Sequence, residues 1–158
     1  MATKQQLTGM TGLYLVAAEL SRRGFIASPT SRSAQGADLL ITDCECCAAF
    51  SIQVKTNASS FGFWLMSEKN KYMRAPSFVY ALVNLRKDRT EFFLVPSAIV
   101  ADGIRRTQSK KKSADDADII ADALAEAKAA KNNTWYWFDY KDAVSYANNW
   151  QIFNERTA

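Results

Sequence analysis

Three side chains in two short stretches carry the chemistry this sequence can offer. Asp38 closes the run Gly36-Ala37-Asp38, and Gln53 and Lys55 lie two apart within Ser51–Asn57 (SIQVKTN). On a β-strand, alternate residues share a face, so Gln53 and Lys55 stand side by side while Ile52 and Val54 fit the buried face. A hairpin about the turn DCECC would bring Asp38 to the same place. A carboxylate, an amide oxygen and the Val54 carbonyl oxygen, with Glu19 from the preceding helix as a second acid, suit Mg²⁺, a hard cation that takes oxygen ligands and keeps several waters. Such an ion lowers the pKa of a bound water and clamps a phosphate oxygen, and an ammonium orients the nucleophile or offsets developing charge. Phosphodiester hydrolysis is the reaction these parts fit.

The rest of the composition narrows the field. The 158 residues include no histidine, which excludes imidazole acid/base work and His-ligated zinc. Apolar residues make up 48% and charged residues 23%, ordinary for one globular domain. The three cysteines, Cys44, Cys46 and Cys47, are crowded into one turn and read as reduced thiols. With no apolar run long enough to span a bilayer and no signal-peptide core, the expected location is cytoplasmic. A net charge of +4 favours an anionic partner such as nucleic acid.

The elements that must position the site follow from periodicity and caps. Leu7, Met10, Leu13, Tyr14, Ala17 and Leu20 recur at helical spacing from Thr3 to Arg23, and Gly24 ends that helix. Strands are expected at Phe25–Ser28, Ala37–Thr42 and Ala48–Thr56, then an extended piece near Phe61–Leu65 and a short helix capped by Ser67. Phe78–Leu85 is apolar on both faces, as a central strand must be, and Glu91–Val95 leads into a helix at Ser97. A basic loop with Lys110, Lys111 and Lys112 precedes a long helix capped by Ser113, and an aromatic tail ends in a helix capped by Asp139. The expected whole is a single α/β domain over residues 1–158: a mixed sheet flanked by helices in a core of about 1–95, and a C-terminal helical extension of about 96–158.

The order of helix with Glu19, Gly24-Phe25, a short strand, Gly36-Ala37-Asp38 and Ile52-Gln53-Val54-Lys55 resembles the PD-(D/E)XK nuclease superfamily, with the restriction-endonuclease-like fold. The Q-x-K form is similar to Mrr-like restriction endonucleases and to Holliday-junction resolvases. The resemblance implies a Mg²⁺-dependent (or Mn²⁺-dependent) DNA endonuclease. Asp38 would be the metal aspartate, Gln53 would stand at the second acidic ligand's position, Lys55 would be the catalytic lysine and Glu19 the helix glutamate. Duplex or branched DNA would be the partner, contacted by Ser31, Arg32, Lys110, Lys111 and Lys112, and a homodimer is expected where both strands are cut. Gln53 is the departure, since an amide contributes no negative charge unless Glu19 makes it good. The alternative is a catalytically inactive nuclease fold that binds nucleic acid or a protein.

Overall fold

The computed structural model describes residues 1–31, 36–58, 62–108 and 134–154. Its elements run α1 (Lys4–Arg22), β1 (Ile26–Pro29), β2 (Leu39–Thr42), β3 (Ala49–Asn57), β4 (Phe63–Met66), a 3₁₀ turn (Glu68–Tyr72), β5 (Phe78–Leu85), β6 (Thr90–Pro96), α2 (Ser97–Gly103), β7 (Arg105–Gln108) and β8 (Thr134–Asp139). A single helical turn at Tyr140–Ala143 and 3₁₀ turns at Val144–Tyr146 and Trp150–Phe153 follow.

The expected mixed sheet flanked by helices is present, with strand order β1-β2-β3-β5-β6. β1, β2 and β3 form an antiparallel meander, β3 and β5 run parallel, and β6 returns antiparallel on β5. β5 is buried from Phe78 to Asn84, because both its faces are covered. Val79, Ala81 and Val83 join one apolar cluster with Val16 and Leu20 of α1, while Phe78, Tyr80 and Leu82 join a second on the opposite face. Trp150, Ile152 and Phe153 belong to the first cluster, with Phe153 edge-on to Phe25 and Phe50.

Helix α1 starts at a capping box in which Thr3 Oγ1 accepts from Gln6 N–H and Gln6 Oε1 accepts from Thr3 N–H. It stops before Gly24, whose φ of +88° few other residues adopt. Its buried face differs from the expected stripe. Gly12, Val16 and Leu20 point inward, and Leu7 and Tyr14 are exposed. The reason is close approach: a Cβ on Gly12 would sit 1.9 Å from Thr56 Oγ1, so the helix meets β3 at its smallest residue and rotates accordingly.

The C-terminal part holds more than helices. The helices expected at Ser97 and after Asp139 are present at Ser97–Gly103 and Tyr140–Ala143, and between them β7 and β8 join β4 in a three-stranded antiparallel sheet, order β4-β8-β7. The segment TWYWFD is rich in residues that favour strands, but it is half-buried almost throughout, so it lacks the alternation that marks a strand in sequence. The helix expected after Ser113 lies outside the described residues, as do Arg32, Lys110, Lys111 and Lys112. No helix among the described residues is long and apolar enough to cross a membrane.

Candidate functional site

The site begins where β2 stops short of β3. Leu39, the first residue of β2, pairs with Ile52, whereas β3 runs on to Asn57. Asp38 N–H still donates to Ile52 C=O at 2.8 Å, and beyond it the Asp38 side chain replaces the missing strand: Oδ2 accepts from Val54 N–H at 2.7 Å. A carboxylate is thereby pinned at the sheet edge by a backbone donor. In a strand, the N–H and C=O of one residue turn to the same side, so the Val54 carbonyl oxygen faces this edge as well.

Val54's side chain packs with the α1 cluster, so Gln53 and Lys55 lie on the other face, in register with Tyr80 and Leu82 of β5. Gln53 Oε1 accepts from Asn70 Nδ2 at 3.0 Å. Lys55 is half-buried and forms no ion pair among the described residues, with Asp38 or any other acid. The cross-hairpin salt bridge that would make these two residues ordinary is therefore not formed. Thr30 N–H donates to the Asp38 carbonyl at 3.0 Å, which leaves Ser31, the next residue and exposed, beside the site.

Asp38 meets β3 at Val54, whose chain neighbours Gln53 and Lys55 share the other face of that strand; Glu19 makes no hydrogen bond or ion pair with any of them. One of its carboxylate oxygens meets Arg22 at 2.8 Å and the other meets Arg23, whose guanidinium lies 4.4 Å from the centre of the Trp150 ring. The Arg23 hydrogen bond, working against partial burial, holds the Glu19 carboxyl below its usual range. Among the described residues no three side chains of the Asp, Glu and Cys type gather into a metal cluster. Asp38 is the carboxylate of this edge, and the remaining oxygens are neutral. The cysteines are free and exposed at the far end of the β2–β3 hairpin, where Cys44 Sγ donates to Gly24 C=O at 2.9 Å.

Sequence reading missed Asn70. Its carbonyl accepts from Ser67 N–H, completing a capping box that could have been found from the spacing of Ser67 and Asn70. Its contact with Gln53 spans two elements and left no mark in the sequence.

No family model matches the chain, and no curated protein sequence matches it. Solved structures do. A Holliday junction resolvase, Hjc, from the archaeal hyperthermophile Archaeoglobus fulgidus superposes with a TM-score of 0.47 at 11% identity, over 87% of this chain and 93% of that one. A bacterial homing endonuclease, I-Ssp6803I, superposes with a TM-score of 0.47 at 12% identity, over 82% of this chain and 100% of that one.

Proposed function

We propose that the chain is a metal-dependent endonuclease that hydrolyses phosphodiester bonds in DNA. The observation that carries this reading is the Asp38 carboxylate, pinned at 2.7 Å by the N–H of Val54, the residue next to Lys55, whose ammonium has no ion pair among the described residues. Half-burying an ammonium without a counter-charge costs free energy, and a site that receives a phosphate recovers it.

The donor set fits Mg²⁺. Asp38 and the Val54 carbonyl are hard oxygens on one edge, and Mg²⁺ is commonly held by one or two carboxylates with waters and substrate phosphates completing the octahedron. When bound, such an ion supplies an acidified water and charge stabilisation. Lys55 orients the attacking water and offsets charge on the phosphate; Asp38 holds its geometry through the strand backbone. The net charge of +4 suits a polyanionic substrate, duplex or branched. Glu19 is left out of the working set because its charge is already met by Arg22 and Arg23.

The test is incubation of purified protein with supercoiled, linear and branched DNA in Mg²⁺ and in Mn²⁺. Cleavage that disappears in Lys55→Ala is the expected result. No cleavage of any substrate, or cleavage undiminished in that variant, sinks the reading.

One observation favours a second reading, a nuclease fold that binds DNA without cutting it. The ion pairs of Glu19 leave Asp38 as the carboxylate of the edge, one charge fewer than a two-carboxylate site. Calorimetry separates the two, since a binding module takes up neither Mg²⁺ nor Mn²⁺ and does not respond to Asp38→Ala.

A further inference from the structure

The hydrogen-bond chain behind Gln53 fixes which end of its amide faces the site. Ser67 N–H, which can only donate, lies 2.6 Å from Asn70 Oδ1, and Ser67 Oγ lies 2.8 Å from the same oxygen. Asn70 must therefore turn its Nδ2 the other way, where it meets Gln53 Oε1 at 3.0 Å and Tyr80 Oη at 2.7 Å. An amide N–H facing Gln53 requires an acceptor, so the Gln53 atom that meets Asn70 is its oxygen. Asn70 and Tyr80 are buried, so water does not readily replace either partner.

Gln53 consequently directs its oxygen into the protein and keeps Nε2 as its free end. That NH₂ group has no hydrogen-bond partner among the described residues, and Lys55 on the same face of β3 has no ion pair among them. A metal ion is repelled by two neighbouring donors without acceptors, and an anion is drawn to them.

We propose that Gln53 is a phosphate-binding donor and not a metal ligand, and that Asn70 is the positioning residue that keeps its Nε2 turned outward. The proposal deepens the nuclease reading of this site and rests on it for the kind of anion, a backbone phosphate of nucleic acid. The metal-site oxygens are then Asp38 and the Val54 carbonyl. Gln53 with Lys55 forms the grip on the phosphate.

Anisotropy of a short labelled duplex at low salt in EDTA reads this grip without metal or hydrolysis. Gln53→Leu, which removes both amide atoms and adds no charge, should weaken duplex binding about tenfold to a hundredfold, as expected for one hydrogen bond to a charged group. Its Mg²⁺ affinity by calorimetry should stay within about twofold of wild type, the scale of an indirect effect. Gln53→Glu, which keeps an acceptor for Asn70, serves as the folded control, and it should also lose duplex affinity while gaining Mg²⁺ affinity. In wild-type protein the side-chain NH₂ resonances of Gln53, assigned by their loss in Gln53→Glu, should shift when duplex is added. In Asn70→Asp, which presents an acceptor and turns the Gln53 amide round, they should not; a merely structural Asn70 would lower Tm and leave that response in place. Duplex affinity unchanged in Gln53→Leu overturns the proposal, as does a wild-type protein that binds no duplex in EDTA. Failure of the nuclease reading is scored separately, by absence of cleavage.

Discussion

Two polar clusters sit on the same face of the central sheet, a few residues apart along β3, β5 and β6, and they treat charge in opposite ways. At one end Glu91 accepts from Asn84 at 3.1 Å and from Arg89 at 2.9 Å, with Arg86 at 3.9 Å, so the acid is met by an amide and two guanidinium groups. At the other, Asp38 takes a backbone N–H, Gln53 is held by Asn70, and Lys55 has no ion pair among the described residues. A carboxylate surrounded by cations is a finished structural unit, and the same holds for Glu19 between Arg22 and Arg23. A pinned carboxylate and an unanswered ammonium on neighbouring residues of β3 have capacity left for a ligand. On the proposed reading, the difference separates residues that hold the fold from residues available for chemistry.

The largest effect that sharpens this contrast is expected from Lys55→Ala, which should lower the cleavage rate about 10²- to 10³-fold in a gel-based assay while leaving Tm almost unchanged. Asp38→Asn comes next. Its side-chain oxygen can still accept from Val54 N–H, so only the charge is lost, and a fall in rate of about 10²-fold is expected with little change in unfolding midpoint.

Gly12→Ala tests the platform under the site and not the site itself. A Cβ there would stand 1.9 Å from Thr56 Oγ1, so α1 must shift on β3, at a cost of about 1–3 kcal/mol in denaturant unfolding. Smallest is Glu91→Gln, expected to remove about 1 kcal/mol or less at pH 7 and to leave cleavage unchanged. Burial raises the Glu91 pKa, but the Asn84 hydrogen bond and Arg89 outweigh it, and the net direction is down. A depressed carboxyl contributes stability that is present above the unfolded pKa of 4.5 and is lost as pH falls through the folded value. The difference between wild type and Glu91→Gln should therefore shrink as unfolding is repeated from pH 7 down toward pH 3, and a difference that grows instead would break the assignment.

The strong local signals in the sequence anticipated much of this. The helical spacing from Thr3 to Arg23, the stop at Gly24, the doubly apolar run Phe78–Leu85 and the DCECC hairpin each rest on neighbours in the chain, and each corresponds to an element of the structure. The face of α1 did not follow, because leucine spacing describes apolar content and the contact is decided by Gly12 against Thr56. Strand β8 was hidden because its partner β4 is remote in the chain and its own half-burial erases alternation, and β7 because its partner is β8, 26 or more residues further on. For the proposed site, the hairpin expected from the sequence does set Asp38 against β3, at Val54 between Gln53 and Lys55. The engagement of Glu19 by two arginines and of Gln53 by Asn70 depends on side-chain directions that no spacing rule contains.

The contrast between the two clusters is tested most directly by removing one cation from each and comparing DNA cleavage in Mg²⁺ side by side. Lys55→Ala should cut about 10²- to 10³-fold more slowly than wild type and Arg89→Ala at a rate close to wild type. Equal rates in the two variants would contradict the account, because the unpaired lysine would then matter no more than a paired arginine.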